Sequence, residues 1–216
     1  MTALLDAHQV SASIDGEVLL APVSAHVSPG HALAVLGQNG SGKTTLLRIL
    51  AGLLRPTSGT VSLGGSRPNA TYPDERRRDT RRAISALIGL PAFATDLTVR
   101  EQLRFIATSW GIIGKTADDR ADSALEQWGI SALSRRFTHE LSSGQTQLFA
   151  LATAFIRPFD ILILDEPEQR LDRDRLALVS SAILTAKANG SAVIVATHSA
   201  TLADAVADAR VTLGQP

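Results

Sequence analysis

The stretch that decides the fold is Gly37-Gln38-Asn39-Gly40-Ser41-Gly42-Lys43-Thr44, which has the form G-x-x-x-x-G-K-[ST] of a phosphate-binding loop. The apolar run at 32–36 before it predicts a buried strand, and the spacing of leucine and isoleucine over 45–54 predicts a helix after it. Strand, glycine-rich loop and helix are the context that this motif requires. We therefore predict an α/β fold that binds phosphates at the end of this strand.

The residue types of the loop match that chemistry. Its glycines let the backbone turn tightly and point several N–H groups at one anion, and the helix that follows adds its positive end. The Lys43 ammonium can reach the β- and γ-phosphates of a nucleotide, and the Thr44 hydroxyl can bind Mg²⁺. The candidate nucleotide-binding residues are Gly37, Gln38, Asn39, Gly40, Ser41, Gly42, Lys43, Thr44 and Thr45.

A second apolar run, at 159–164, ends in Asp165-Glu166-Pro167. A buried strand that ends in aspartate commonly supplies the second protein contact to the metal of a nucleotide site. We expect Asp165 to bind Mg²⁺, directly or through water, and Glu166 to hold the attacking water as general base. Two adjacent carboxylates should repel each other unless a cation lies between them.

Two further segments have both a structural and a functional interpretation. Ser142 and Gln145 have the S-x-x-Q spacing of a capping box, so they either cap the helix predicted over 146–156 or form an anion-binding helix N-terminus. His198 follows the apolar run at 192–196. A lone histidine at a strand end is usually structural, but a phosphate contact becomes plausible if this strand lies beside the one that carries Glu166.

Composition sets broad limits on the 216-residue chain. Lys plus Arg and Asp plus Glu both number 21, so there is no basic excess of the kind that nucleic-acid binding requires. There is no cysteine, and no apolar run approaches the ~20 residues that span a bilayer. With no recognisable signal peptide, we expect a soluble protein. The arginine-rich segment at 66–82 is better explained as a solvated face than as an interaction patch.

The segments GQNGSGKT, LSSGQ, ILILDEP and VATHS, in this order, resemble those of the nucleotide-binding domain of ABC (ATP-binding cassette) ATPases. The occurrence of LSSGQ upstream of LDEP distinguishes this family from other P-loop proteins. The resemblance covers the whole chain and implies one domain over 1–216. It implies a P-loop NTPase (RecA-like) core, an antiparallel β subdomain and an inserted α-helical subdomain at approximately 84–158.

The resemblance also implies activity, cofactors and partners. It implies an ATPase that uses ATP and Mg²⁺, with Glu166 and His198 as catalytic residues. A second copy or a homologous cassette would form a head-to-tail dimer, in which Ser142, Gly144 and Gln145 touch the γ-phosphate held by Lys43 of the other copy. Integral membrane subunits would carry the transported substrate, no nucleic acid is expected, and the chain would lie on the inner face of the cell membrane.

Three positions depart from the family pattern. Ile14 stands where the family stacks adenine on an aromatic ring, and Gly89 stands where a glutamine normally relays the nucleotide state. Residues 168–170, Glu-Gln-Arg, are unusual and charged for the loop that ends in Leu171-Asp172. Two alternatives to the transporter subunit remain open: a soluble ABC ATPase outside transport, and a nucleotide-sensing module that hydrolyses ATP weakly.

Overall fold

The computed structural model describes residues 4–64 and 72–214, and it divides the chain into two compact units. The first unit takes in the described residues of Met1–Ile88, Phe159–Pro167 and Ser180–Pro216, and the second takes in Gly89–Pro158 and Glu168–Val179. The first unit contains two β-sheets, and most of the helical residues before residue 173 lie in the second unit.

The elements follow in chain order. The strands are β1 (Leu5–Ile14), β2 (Glu17–Val27), β3 (Ala32–Gly37), β4 (Ser58–Leu63), β5 (Ile84–Leu87), β6 (Ile161–Asp165), β7 (Ala192–Ala196) and β8 (Ala209–Leu213). The α-helices are α1 (Lys43–Leu50), α2 (Arg78–Ala83), α3 (Val99–Ser109), α4 (Lys115–Gln127), α5 (Ser143–Phe155), α6 (Arg173–Ala188) and α7 (Ala200–Val206).

A five-stranded parallel sheet forms the centre of the first unit, in the order β5-β6-β7-β3-β8. The near-continuous apolar runs of β3, β6 and β7 are almost fully buried, as expected for parallel strands that are covered on both faces. Because all five strands run in the same direction, their carboxyl ends share one edge of the sheet. The predicted adjacency of the strands that precede Glu166 and His198 is confirmed by the β6–β7 pairing.

The three-stranded antiparallel sheet, in the order β2-β1-β4, corrects one detail of the sequence prediction. The apolar runs at 10–14, 18–20 and 23–27 predict short separate strands. The structure instead has two long strands whose pairing contains register shifts. Proline within a run argues against a continuous central strand, but β2, which contains Pro22, is an edge strand, where proline is tolerated.

The second unit contains α3, α4 and α5. A capping box between Thr98 and Glu101 begins α3, and the guanidinium of Arg100 joins α3 to α4 through Asp118 and Asp122. The residues at 84–88, which the expected helical region included, instead belong to the first unit, since 84–87 form β5.

Two surface features follow from the described residues. Arg76 to Arg82 form a segment that is exposed except at Thr80, Arg77 pairs with Asp79 in it, and part of this segment is helix α2. The residues at 66–71 of the predicted arginine-rich segment lie outside the described residues. Within 4–64 and 72–214, every helix is too short or too polar to cross a membrane.

An ion pair between Lys187 and Asp208 links the end of α6 to the segment before β8 and to the start of β3. Lys187 at the end of α6 contacts the Asp208 carboxylate at 2.7 Å and donates to the Val206 carbonyl, while the Ala32 N–H of β3 donates to Asp208 Oδ2 at 2.6 Å. Burial alone would raise the pKa of Asp208, but the hydrogen bonds from Lys187 and Ala32 outweigh it and hold this pKa below its ordinary value.

We therefore expect Asp208→Asn to lower the free energy of unfolding by about 1 kcal/mol at pH 7, since Asp208 is partly exposed and solvent weakens the pair. A depressed pKa in the folded state stabilises the fold above the unfolded-state pKa, and this contribution is lost as the pH falls through the folded-state value. Urea unfolding at pH 7, 5 and 3 should show the gap between variant and wild type closing. Asp204→Asn, which removes a more exposed pair with Arg210, is the control; a gap independent of pH would contradict this account.

Candidate functional site

The phosphate-binding loop lies at the carboxyl end of β3 and leads into α1. Gly42 caps the helix with φ of 90°, and a Cβ there would lie 2.7 Å from the Leu19 carbonyl oxygen, so both backbone conformation and close packing on β2 require glycine. The loop therefore keeps its backbone N–H groups close to the helix N-terminus, where phosphates bind best.

The ammonium group of Lys43 lies at the centre of the site. Its side chain is only 5% exposed, and Nζ donates to the carbonyl oxygens of Gly37 at 2.9 Å and Gln38 at 3.2 Å. It also lies 3.0 Å from His198 Nε2 and 3.9 Å from Glu166 Oε1. The cation is thus held beside the loop by groups at the carboxyl ends of β3, β6 and β7.

Glu166 and His198 are brought together by the pairing of β6 with β7. The two residues follow these strands, and His198 Nε2 lies 2.8 Å from Glu166 Oε1. One ring nitrogen cannot donate to Glu166 and accept from Lys43 at the same time, so the tautomer of His198 decides which bond forms. Glu166 has a positive φ of 47°, and its N–H donates to the Ala196 carbonyl of β7. A strained backbone at this position is typical of functional sites.

Asp165 is the group best placed to hold a divalent cation. Thr44 Oγ1 donates to Asp165 Oδ2 at 2.7 Å, while Asp165 Oδ1 is buried and has no hydrogen-bond partner among the described residues. Burial raises the pKa of Asp165, with a further contribution from Glu166, and the Thr44 hydroxyl only partly offsets it. Such a carboxylate and hydroxyl pair fits Mg²⁺, which usually takes one or two carboxylates and completes its shell with waters and substrate phosphates.

In the second unit, Ser142 caps helix α5 in the way that the capping-box interpretation predicts. Ser142 Oγ accepts from the Gln145 N–H at 3.4 Å, and Gln145 Oε1 accepts from the Ser142 N–H at 2.9 Å. Helix α5 therefore begins at Ser143, three residues before the predicted start. Because Ser142 Oγ is an acceptor in this bond, its own O–H can still be donated elsewhere.

Gly144 has a packing role that sequence reasoning missed. A Cβ at this position would lie 2.8 Å from the Arg170 carbonyl oxygen and 2.9 Å from Arg175 Nη1, so α5 packs directly on the segment before α6. Arg170 itself has a positive φ of 64°. The available signal was the glycine of LSSGQ, just before the predicted helix, because a glycine at such a position can mark a close backbone approach.

The comparisons with known proteins agree with this geometry. The family model described as ABC transporter matches residues 20–169, and a model of an AAA domain matches 136–204. The Cytochrome c biogenesis ATP-binding export protein CcmA of Xanthomonas axonopodis pv. citri (strain 306) is 36% identical over 210 residues, which cover 97% of this chain and 94% of that protein.

Two other similar proteins have related descriptions. The Phosphate import ATP-binding protein PstB 2 of Natronomonas pharaonis is 33% identical over 213 residues, covering 94% of this chain and 74% of that protein. A solved structure titled "Structure of ATP binding subunit of ABC transporter" has a TM-score of 0.85 and 25% identity, covering 98% of this chain and 86% of the other.

The chain belongs to the ABC transporter family. It is an ATP-binding subunit of that family and an ATPase whose hydrolysis is coupled to transport. The resemblance in sequence and the expected fold class are both confirmed. The relatives named above are transporter ATP-binding proteins, which favours the transporter subunit over a soluble ATPase outside transport and over a weakly hydrolysing sensor.

The three departures from the ABC pattern lie at exposed or strained positions. Ile14, at the end of β1, is 57% exposed. Gly89 has φ of 71°, and a Cβ there would have open space around it, so only the backbone conformation favours glycine. The charged loop at 168–170 contains Arg170, whose carbonyl packs on Gly144.

The packing of Gly144 predicts whether its replacement by alanine raises or lowers the stability of the protein. Alanine is the better helix former by about 1 kcal/mol, yet its methyl group would press on the Arg170 backbone and cost about 1–3 kcal/mol. Gly144→Ala should therefore lower the melting temperature of this ABC protein. Ser143→Ala, at an exposed position in the same turn, is the control and should be close to neutral. A Gly144→Ala protein as stable as Ser143→Ala would contradict the close approach.

Proposed function

We propose that this chain is a motor subunit that lies on the inner face of the cell membrane and drives separate membrane subunits by hydrolysing ATP. In this proposal residues 1–216 form one ABC nucleotide-binding domain. The observation that supports it most strongly is the convergence of Lys43, Asp165, Glu166 and His198 at one edge of the parallel sheet. Residues more than 120 positions apart in sequence meet there, which supports a shared role in phosphoryl transfer.

The loop from Gly37 to Thr45 binds the phosphates of ATP in this proposal. Backbone N–H groups of the loop and the N-terminal end of α1 face the β-phosphate. The Lys43 ammonium contacts two loop carbonyls, so it is already fixed in position near the loop and does not have to be drawn in from solvent. It stabilises the negative charge that develops on the transferred phosphoryl group.

Thr44 and Asp165 would hold Mg²⁺ together with the phosphates. Asp165 Oδ1, which is buried and lacks a hydrogen-bond partner in the described chain, supports this assignment. When bound, the metal supplies charge neutralisation to the phosphate oxygens. The raised pKa of Asp165 fits the same role, because a cation would stabilise the carboxylate that burial disfavours.

Glu166 acts as the general base toward the attacking water. It removes a proton from the water as the oxygen attacks the γ-phosphorus, and ADP and phosphate are the products. His198 Nε2 lies within hydrogen-bonding distance of both Glu166 and Lys43, so in this proposal it orients one of these groups and contacts the γ-phosphate. The retention of both groups favours slow to moderate hydrolysis over a purely sensing role.

A second ABC protomer completes the site in this proposal. Ser142, Gly144 and Gln145 of one copy contact the γ-phosphate that Lys43 of the other copy holds. The spare O–H of Ser142 and the N-terminal end of the 13-residue α5 supply the donors. Hydrolysis removes the phosphate that joins the two copies, and the membrane subunits respond to the opening. The relatives comprise an export protein and an import protein, so this nucleotide chemistry is what they share.

Glu166→Gln provides the direct test of this mechanism. Removal of a positioned general base should lower the hydrolysis rate about 10²- to 10⁴-fold, while ATP binding persists and a dimer accumulates. Phosphate release and size-exclusion chromatography with and without MgATP measure both effects. Glu126→Gln, an exposed glutamate on α4, is the matched control. Hydrolysis that continues unchanged in Glu166→Gln would refute the base assignment.

A further inference from the structure

Two exposed aromatic rings lie a few residues before helix α5. Phe137 and His139 are near-parallel, with an interplanar angle of 10° and ring centroids 5.8 Å apart. Phe137 is 36% exposed, and His139 is also exposed. Each ring uses one face for its neighbour, so ring surface of the pair stays accessible to a further planar group.

The backbone under this pair is held in place. Glu140 accepts from the Phe137 N–H at 2.7 Å and pairs with Arg136 at 3.1 Å. The backbone hydrogen bond from Phe137, with help from Arg136, lowers the pKa of the Glu140 carboxyl, so it stays ionised at neutral pH. Phe137 also forms a β-bridge with Thr98, the cap of α3. A fixed and exposed aromatic pair is suited to binding rather than to filling a core.

Aromatic side chains are scarce in this chain, which makes the placement of the pair informative. Aromatic residues make up 4% of the sequence, and the position where an adenine-stacking ring was expected holds Ile14. Isoleucine offers apolar area but no ring face. Nucleobase stacking, which is worth roughly 1–3 kcal/mol per base, would need another platform.

We propose that Phe137 and His139 form a stacking surface for the base of the ATP whose phosphates are bound by the other protomer. This inference rests on the proposed head-to-tail dimer. Phe137 lies five residues before Ser142, a path of at most about 17 Å if fully extended and shorter here because Thr138–Glu140 form a 3₁₀ turn, so the pair lies within about one nucleotide length of Ser142. A protomer that contacts the γ-phosphate through Ser142 would thus reach the base with the aromatic pair.

Stacking of this kind does not depend on the hydrogen-bonding groups of the base, because every base has a π-face. The pair should therefore support GTP as well as ATP. The aromatic pair acts on nucleotide affinity and not on the chemical step, which depends on Glu166 in the first unit. Its removal should raise the apparent KM for ATP and leave kcat at saturating ATP unchanged.

The experiment compares four changes in the full-length chain: Phe137→Ala, the double change Phe137→Ala with His139→Ala, Phe137→Tyr and Phe105→Ala. Phe105, on α3, is 66% exposed and lies in the same unit, so its replacement controls for the loss of a surface phenylalanine. Each change is made in the Glu166→Gln background, where the ATP concentration for half-maximal dimerisation is measured, and in the wild-type background, where KM and kcat are measured.

The proposal predicts that the double change raises the ATP requirement about 5- to 150-fold, whereas Phe137→Tyr and Phe105→Ala leave it within about twofold. If Glu166→Gln dimerises with ATP but the double change has no effect, the stacking surface is refuted and the dimer stands. If Glu166→Gln never dimerises, the proposed dimer fails and the stacking surface fails with it. A fall in kcat without a rise in KM, or an equal loss in Phe137→Tyr, would assign the pair to structure and overturn the proposal.

Discussion

The position of one buried ammonium group governs the site. Lys43 is held among two loop carbonyls, an imidazole and a carboxylate, and these groups lie at the carboxyl ends of three different strands of one sheet. A cation with so little exposure is tolerated only where opposite charge and hydrogen bonds surround it. The parallel sheet provides that environment, because the carboxyl ends of β3, β6 and β7 meet along a single edge.

The need of buried charges for partners also accounts for the arrangement of the two carboxylates after β6. Asp165 and Glu166 are adjacent in sequence, yet each has its own positively polarised partner. Asp165 accepts from the Thr44 hydroxyl, and Glu166 contacts Lys43 and His198. The repulsion expected between the two carboxylates is thus offset for Glu166 by the Lys43 ammonium, while burial leaves the pKa of Asp165 raised. This difference suits Asp165 to binding a metal ion and Glu166 to accepting a proton.

The parts of this arrangement that could be predicted are those that depend on local pattern. The glycine-rich loop, the buried runs before Asp165 and His198, and the Ser142–Gln145 cap all follow from residue type and spacing. The contacts that depend on distant packing could not be predicted in this way. No spacing rule places the Arg170 carbonyl against Gly144, and none puts His198 at equal reach of Lys43 and Glu166. Likewise β2 is continuous through Pro22 only because it is an edge strand, which is a property of the assembled sheet.

The central claim is that a single phosphate is bound by Lys43 of one protomer and Ser142 of another. The measurement that tests it most directly is ATP hydrolysis by Lys43→Ala chains, by Ser142→Ala chains and by their equimolar mixture. Each variant alone has two defective sites per dimer, whereas a mixed dimer keeps one intact site, so the mixture should recover about a quarter of wild-type activity. Full activity of Ser142→Ala alone, or a mixture as inactive as its components, would contradict the account.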